Sequence, residues 1–327
     1  EITDESTASD KAKAITLEVL LEFFKNNSIA LLIRNLKVKL VDFDIENEIA
    51  SIGKKKLLEW GKKQGAPGTY NRIDDILIMH PNFTDWIFKN EGQNKKTEIL
   101  VRTGLEATLI HESVHKIHLT ISKHAQSFYQ QAIIIPPGVD KLLRGKVGNQ
   151  SLTDSGIVRF LLFNFLRNIQ TEGIADFFQK EKQGKIKYND FTFKSFYDEG
   201  LKEVKEFIVC YLDTLTGLSL NLNKPFGESS PKFKFKIDWM QNKSKHSYKI
   251  GLHATYTIMY FDQNIKFNTI LKWSPFEFIK RYESSIKKHG VKPLVSVTSG
   301  AGIFDYSDMV SKLNESLKKS MKKYRNS

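Results

Sequence analysis

The sequence predicts an α+β protein that is predominantly helical, with a small sheet. Three observations predict it. Long stretches with apolar residues at helical spacing lie between clear breakers, and only two stretches read as strand. The 327 residues are 40% apolar and 12% aromatic, with 23 Phe, which is enough to bury a core and excludes a disordered chain. At ~150 residues per domain the length gives about two domains, or one large core with additions.

Thr16 to Phe24 (TLEVLLEFF) has helical periodicity and ends at Asn26-Asn27, and Glu46 to Lys63 reads as one further helix before Gly65-Ala66-Pro67-Gly68. Residues 1–70 thus read as a helical region. Ile73 to Met79 (IDDILIM), stopped by His80-Pro81, is the first strand. A helix follows from about Gly104 to Gln131, ended by Pro136-Pro137-Gly138. After a polar loop, Ser151, Thr153 and Asp154 offer N-cap groups for a long helix to about Lys180. Helices are also expected over Phe193 to Leu215, His246 to Phe261, Pro275 to Ile286 and Tyr306 to Tyr324. Gly217 to Trp239 alternates in a strand-like way.

Composition narrows the chemistry. The one cysteine, Cys210, excludes a disulfide framework and a Cys-rich zinc ribbon within the chain, so any metal must be held by His and carboxylates. Fifty Lys+Arg against 37 Asp+Glu give a net charge of +13. The positive residues are mostly lysines scattered as Lys54-Lys55-Lys56, Lys95-Lys96, Lys287-Lys288 and Lys322-Lys323. That pattern describes a solvated coat, since phosphate recognition concentrates Arg, and no nucleic-acid-binding signature accompanies it. No run approaches the ~18 apolar residues of a membrane helix. The sequence opens on Glu1 and not Met, which leaves two readings: a secreted or cell-surface protein whose leader was removed, or a cytoplasmic one.

The segment that carries chemistry is Thr108-Leu109-Ile110-His111-Glu112-Ser113-Val114-His115, an H-E-x-x-H on an expected helix. Four helical residues advance about 6 Å and about 400°, which puts His111 and His115 one turn apart on one face. Both imidazoles can then reach one tetrahedral Zn2+ at about 2.0–2.1 Å. Glu112 projects beside them, placed to take a proton from an activated water. With eight His in the chain, chance alone produces this pattern at a rate on the order of 1%, so a further ligand must be found.

The metzincin continuation is absent, because His118 stands where Gly is required and Ile121 where the third His would be. The alternative third ligand is a Glu from a second helix, and Thr171-Glu172-Gly173-Ile174-Ala175-Asp176 offers one. Glu172 and Asp176 share a helical face, so Glu172 can ligate while Asp176 accepts the second N–H of a ligand His. Gly173 and Ala175 allow a second helix to approach closely. His118 and His124 read as accessory groups at the surface or facing a loop.

These motifs resemble those of the gluzincins, the aminopeptidase-N- and thermolysin-like clan of zinc peptidases. There the ligands are the two His of H-E-x-x-H and a Glu on a later helix, often within E-G-x-A, matched here by Glu172-Gly173-Ile174-Ala175. The resemblance implies a zincin-like core over 71–265 with two long active-site helices, and a C-terminal helical region, 266–327, packed on it. It implies that His111, His115 and Glu172 bind zinc, that Glu112 is the general base and that Asp176 supports a ligand. Aminopeptidase-N-like members also carry a downstream tyrosine that stabilises the oxyanion; Tyr248-Lys249-Ile250-Gly251 is its counterpart, with His253 and His246 as competing donors.

Two departures refine the expectation. The G-x-M-E-N segment that reads a free amine is absent and the His115-to-Glu172 interval is long, which points to an endopeptidase rather than an exopeptidase. Lys116 occupies a position usually uncharged in zinc peptidases. The expected partner is a peptide or protein substrate, paired by edge addition to the strand around Ile73 to Met79. The alternative is a non-catalytic protein on the same fold that binds metal or an anionic partner.

Overall fold

In the computed structural model of the protein, the described residues are 1–26, 33, 36–64, 67–71, 74–122, 154–218 and 247–325. The chain divides into two compact units, Glu1–Thr120 with Phe178–Ile186, and Ile121–Phe177 with Lys187–Ser327.

The first unit is built on strands β1 (Ile2–Asp4), β2 (Lys37–Leu40), β3 (Gly68–Asn71) and β4 (Ile76–Met79), in the spatial order β1-β2-β4-β3. β1 and β4 both run parallel to β2, and β3 pairs antiparallel with β4, Tyr70 opposite Leu77. Alternation buries Val38 and Leu40 of β2 with Leu77 and Met79 of β4. β1, β2 and β3, which lie in the stretch read as helical, escape the sequence reading because they are short and half polar, whereas β4 is the continuous apolar run Ile76–Met79. β4 is shorter than expected: Asp74 and Asp75 lie in a turn, and Asp75 takes the left-handed φ of 54°. The expectation that an incoming peptide adds to this strand is corrected, because β4 already has a neighbour on each side.

Helix α1 (Asp10–Asn26) buries Ala12, Ile15, Val19, Leu20 and Phe23, the stripe that its helical spacing forecasts. The single helix expected over 46–63 is two, α2 (Ile45–Ile52) and α3 (Lys54–Gln64). Gly53 separates them with φ 85°, a conformation that glycine adopts without a Cβ penalty. α4 (Pro81–Glu91) was not expected. The Pro81 that ends β4 also starts this helix, since proline's fixed φ suits the first helical position. α1 packs against α4. α5 (Lys95–Ile121) begins nine residues before the expected start, and its expected end at Gln131 lies outside the described residues.

In the second unit α6 (Asp154–Lys182), α7 (Asp190–Leu218), α8 (Tyr248–Phe261), the single turn α9 (Phe267–Ile270), α10 (Pro275–Lys287) and α11 (Tyr306–Arg325) follow in order. α6 carries Glu172 and continues to Lys182, beyond this unit's limit at Phe177. α8 packs most closely on α7 and next on α10. α10 has its expected start: the Ser274 hydroxyl caps Glu277 N at 3.1 Å and Pro275 occupies the first turn. Two short strands, β5 (Val295–Ser296) and β6 (Phe304–Asp305), pair in parallel. The buried Glu283 carboxylate secures this segment by accepting from Ser296 Oγ, Val297 N and Thr298 Oγ1. The strand-like segment 217–239 falls mostly outside the described residues, as do His246 and His124.

The described chain is therefore predominantly helical with a small mixed sheet. No helix among the described residues is long and apolar enough to cross a membrane.

Candidate metal centre

Burial of Val101, Leu105, Leu109, Val114 and Ile117 fixes the rotation of α5 and so decides where the H-E-x-x-H side chains point. His111 and Glu112 are half-buried and His115 is buried. The helical spacing brings the two histidine Nε2 atoms to 3.2 Å, with the rings edge to face at 4.8 Å between centroids. His118 is 4% exposed and not a surface group. Four residues after Val114 and one after Ile117, it continues the stripe that faces the core, which corrects the sequence expectation.

Glu172 lies half-buried on α6 in the turn after Ile169 and just before Ile174 and Ala175, all three of which are buried. His111, His115 and Glu172 each offer one ligand atom, and these atoms lie within 4.8 Å of one another. Donors around a tetrahedral zinc at about 2.05 Å stand about 3.3 Å apart. The histidine pair is already at that spacing. Two imidazoles and one carboxylate also form a donor set that divalent transition metals, zinc and iron(II) among them, accept. The residues therefore fit a metal ion.

The glycines of the two motif segments meet. A Cβ on Gly173 would stand 2.2 Å from the Gly251 carbonyl carbon, and one on Gly251 would stand 2.1 Å from the Ile169 carbonyl oxygen. Only glycine at both positions allows α6 and α8 this approach. The residue before Gly173 is Glu172, and Tyr248 opens the helix that carries Gly251.

Glu112 has a hydrogen bond from an unexpected source, the Tyr70 backbone N–H of β3, which donates to Oε2 at 2.8 Å. A main-chain contact leaves no mark in residue type, so no sequence signal could have revealed it. Lys116 bridges to Asp75 of the β3–β4 turn, and the Tyr70 hydroxyl donates to Asp75 Oδ1. Partial burial raises the Asp75 pKa, but the bonds from Lys116 and Tyr70 outweigh it and hold the carboxyl below its ordinary value.

Tyr248 is the half-buried first residue of α8. Ser247 gives that helix no side-chain cap, and Glu203 of α7 caps it instead, accepting from Lys249 N at 2.9 Å and Ile250 N at 3.1 Å. Lys249 pairs with Glu199 at 2.8 Å and also feels the charge of Asp176, which is itself buried. His253 occupies a different setting. It is wholly buried, with Phe193 and Tyr197 against its ring, Nδ1 3.1 Å from the Tyr282 hydroxyl and Nε2 3.4 Å from Thr257 Oγ1. Burial pushes its pKa down to about 3, so it is neutral.

Burial raises the Glu203 pKa from 4.5 to about 7, against the two backbone bonds that lower it. A raised carboxyl pKa means that the folded protein resists ionising this group. Its contribution to stability is therefore most favourable below pH 4.5 and declines as pH rises to about 7, by at most ~3 kcal/mol. We predict that Glu203→Gln gains stability relative to wild type between pH 5 and pH 8. Urea unfolding at both pH values checks this, and an unchanged difference between the two proteins would refute it.

Compared with known proteins, this chain matches no family model, no curated protein and no solved structure, so its own donors and geometry define the site.

Proposed function

We propose that this protein is a zinc-dependent metallopeptidase of gluzincin type, acting as an endopeptidase, with His111, His115 and Glu172 as the metal ligands. The observation that carries the reading is the convergence of those three donors, with Glu112 beside them on the same helix turn as His111. The chemistry supplied by a zinc ion bound there is Lewis acidity toward water and toward a carbonyl oxygen.

The chain's own residues do the rest. Glu112 takes a proton from water and returns it to the departing amine, as a general base and then a general acid. The Tyr248 hydroxyl is the donor assigned to the oxyanion. His253 is set aside, because it is neutral and enclosed among aromatic rings. Asp176 is assigned to orient a ligand. Substrate pairing by edge addition has no place in this reading: β4 is interior, and the Tyr70 N–H of β3 is engaged by Glu112.

Elemental analysis of the purified protein, together with digestion of a peptide library, tests the proposal. One zinc per chain is expected, lost in His115→Ala, with internal cleavage of peptides. A wild type that takes up no zinc from metal-supplemented buffer refutes it. Zinc uptake without cleavage of any peptide would favour the metal-binding alternative.

A further inference from the structure

We infer that Lys116 and Asp75 are positioning residues for Glu112, acting through Tyr70, so that one carboxylate oxygen is anchored and the other is the proton acceptor. The inference rests on the proposed role of Glu112 as the base. Glu112 and Lys116 stand four residues apart on α5 and so project from one face. They grip the β3–β4 hairpin at two points. Glu112 Oε2 accepts from Tyr70 N at 2.8 Å, and the Lys116 ammonium binds both oxygens of Asp75. The Tyr70 side chain closes the circuit. Its hydroxyl donates to Asp75 Oδ1 at 2.5 Å, and the Lys116 ammonium lies 5.8 Å from the ring centroid.

Each link restrains the next. Tyr70 is 5% exposed, so its ring is fixed by packing as well as by Asp75. Asp75 holds a left-handed backbone that a non-glycine residue adopts at some energetic expense, and its two side-chain partners stabilise it there. With ring and turn fixed, the Tyr70 amide faces α5 at a set height and holds Oε2. Glu112 Oε1 has no hydrogen-bond partner among the described residues, which leaves it to receive the proton. Catalytic geometry is sensitive at this scale, since a displacement of about 1 Å can cost about 100-fold in rate.

The test uses Lys116→Met, Asp75→Asn and the conservative Lys116→Arg in the full chain, each first shown by thermal melting to be folded. Hydrogen exchange at the Tyr70 amide reads the clamp without any need for activity. Exchange about tenfold faster or more is expected in Lys116→Met and Asp75→Asn, with protection restored in Lys116→Arg. In a Glu112→Ala background, where the acceptor is gone, Lys116→Met should add nothing. Wild-type protection of Tyr70 in Lys116→Met overturns the clamp. On a cleaved peptide, kcat is expected to fall about tenfold or more with KM and zinc content unchanged; an unchanged kcat overturns the positioning role. A wild type that cleaves nothing counts against the peptidase reading, while the exchange result still decides the clamp.

Discussion

Replacing Glu112 by Gln is expected to leave zinc bound and to remove peptide cleavage. The amide has the shape of the carboxylate, and its carbonyl oxygen can still accept from the Tyr70 N–H, so the packing of α5 against β3 is retained. What it loses is the ability to take a proton. Positioned general acid–base groups contribute about 10²–10⁴-fold to rate, so a loss of that order is expected in kcat with little change in KM. Zinc content and cleavage rate measured on the same preparation separate this outcome from simple misfolding. Activity within about tenfold of wild type would remove Glu112 from the role of base.

Adding one methyl group at Gly251 or Gly173 is expected to destabilise the second unit severely. The new Cβ at Gly251 would sit 2.1 Å from the Ile169 carbonyl oxygen, and at Gly173 it would sit 2.2 Å from the Gly251 carbonyl carbon. Both obstacles are main chain in helices, so no rotamer change relieves them. Alanine gains about 1 kcal/mol over glycine in helix propensity, but overpacking costs about 1–3 kcal/mol and more where backbone must move. The clash wins, and a net loss of about 2 kcal/mol or more is expected from either variant. The double variant should cost less than the two losses added, because helices already separated by one Cβ have room for the second. Urea unfolding measures all three, and single variants within about 0.5 kcal/mol of wild type would show that α6 and α8 separate freely. With Glu172 as a proposed ligand, a weakened metal affinity is expected alongside, since that residue rides on the helix turn that must shift.

The positive charge has a limited part in these expectations. Lys13, Lys39, Lys116, Lys194 and Lys249 stand in ion pairs with Asp4, Glu5, Asp75, Asp198 and Glu199. Exposed pairs of this kind contribute about 0–1 kcal/mol each and weaken with salt. The lysine nearest to Glu112 in these pairs is Lys116, four residues on along α5 and bound to Asp75.

Features set by near neighbours along the chain were legible from residues alone. The spacing of His111 and His115 needs only a helix to bring their nitrogens together, and a helix was readable from apolar periodicity. The start of α10 was marked by Pro275, and Pro81 ended β4 as expected. Periodicity could not report that Glu46 to Lys63 breaks at Gly53, because a glycine inside a helical pattern marks a stop only when the chain has reason to turn there. It also could not separate the surface reading of His118 from its buried position, which depends on which face of α5 the rest of the unit covers.

The remaining features required the tertiary structure, since each joins groups distant in sequence with no period between them. Gly173 and Gly251 stand in separate motifs, and only the crossing of α6 and α8 reveals that one exists for the other. That the Glu172 carboxylate lies within 4.8 Å of the His111 and His115 ring nitrogens is likewise not encoded in residue types. Tyr70 reaches Glu112 through a backbone amide, and every residue but proline has one. The sequence by itself determined the donor types and their local spacing, because helix geometry converts spacing into direction. The tertiary structure alone decided which donors meet and what holds the Glu112 carboxylate, because those depend on packing summed over the whole chain.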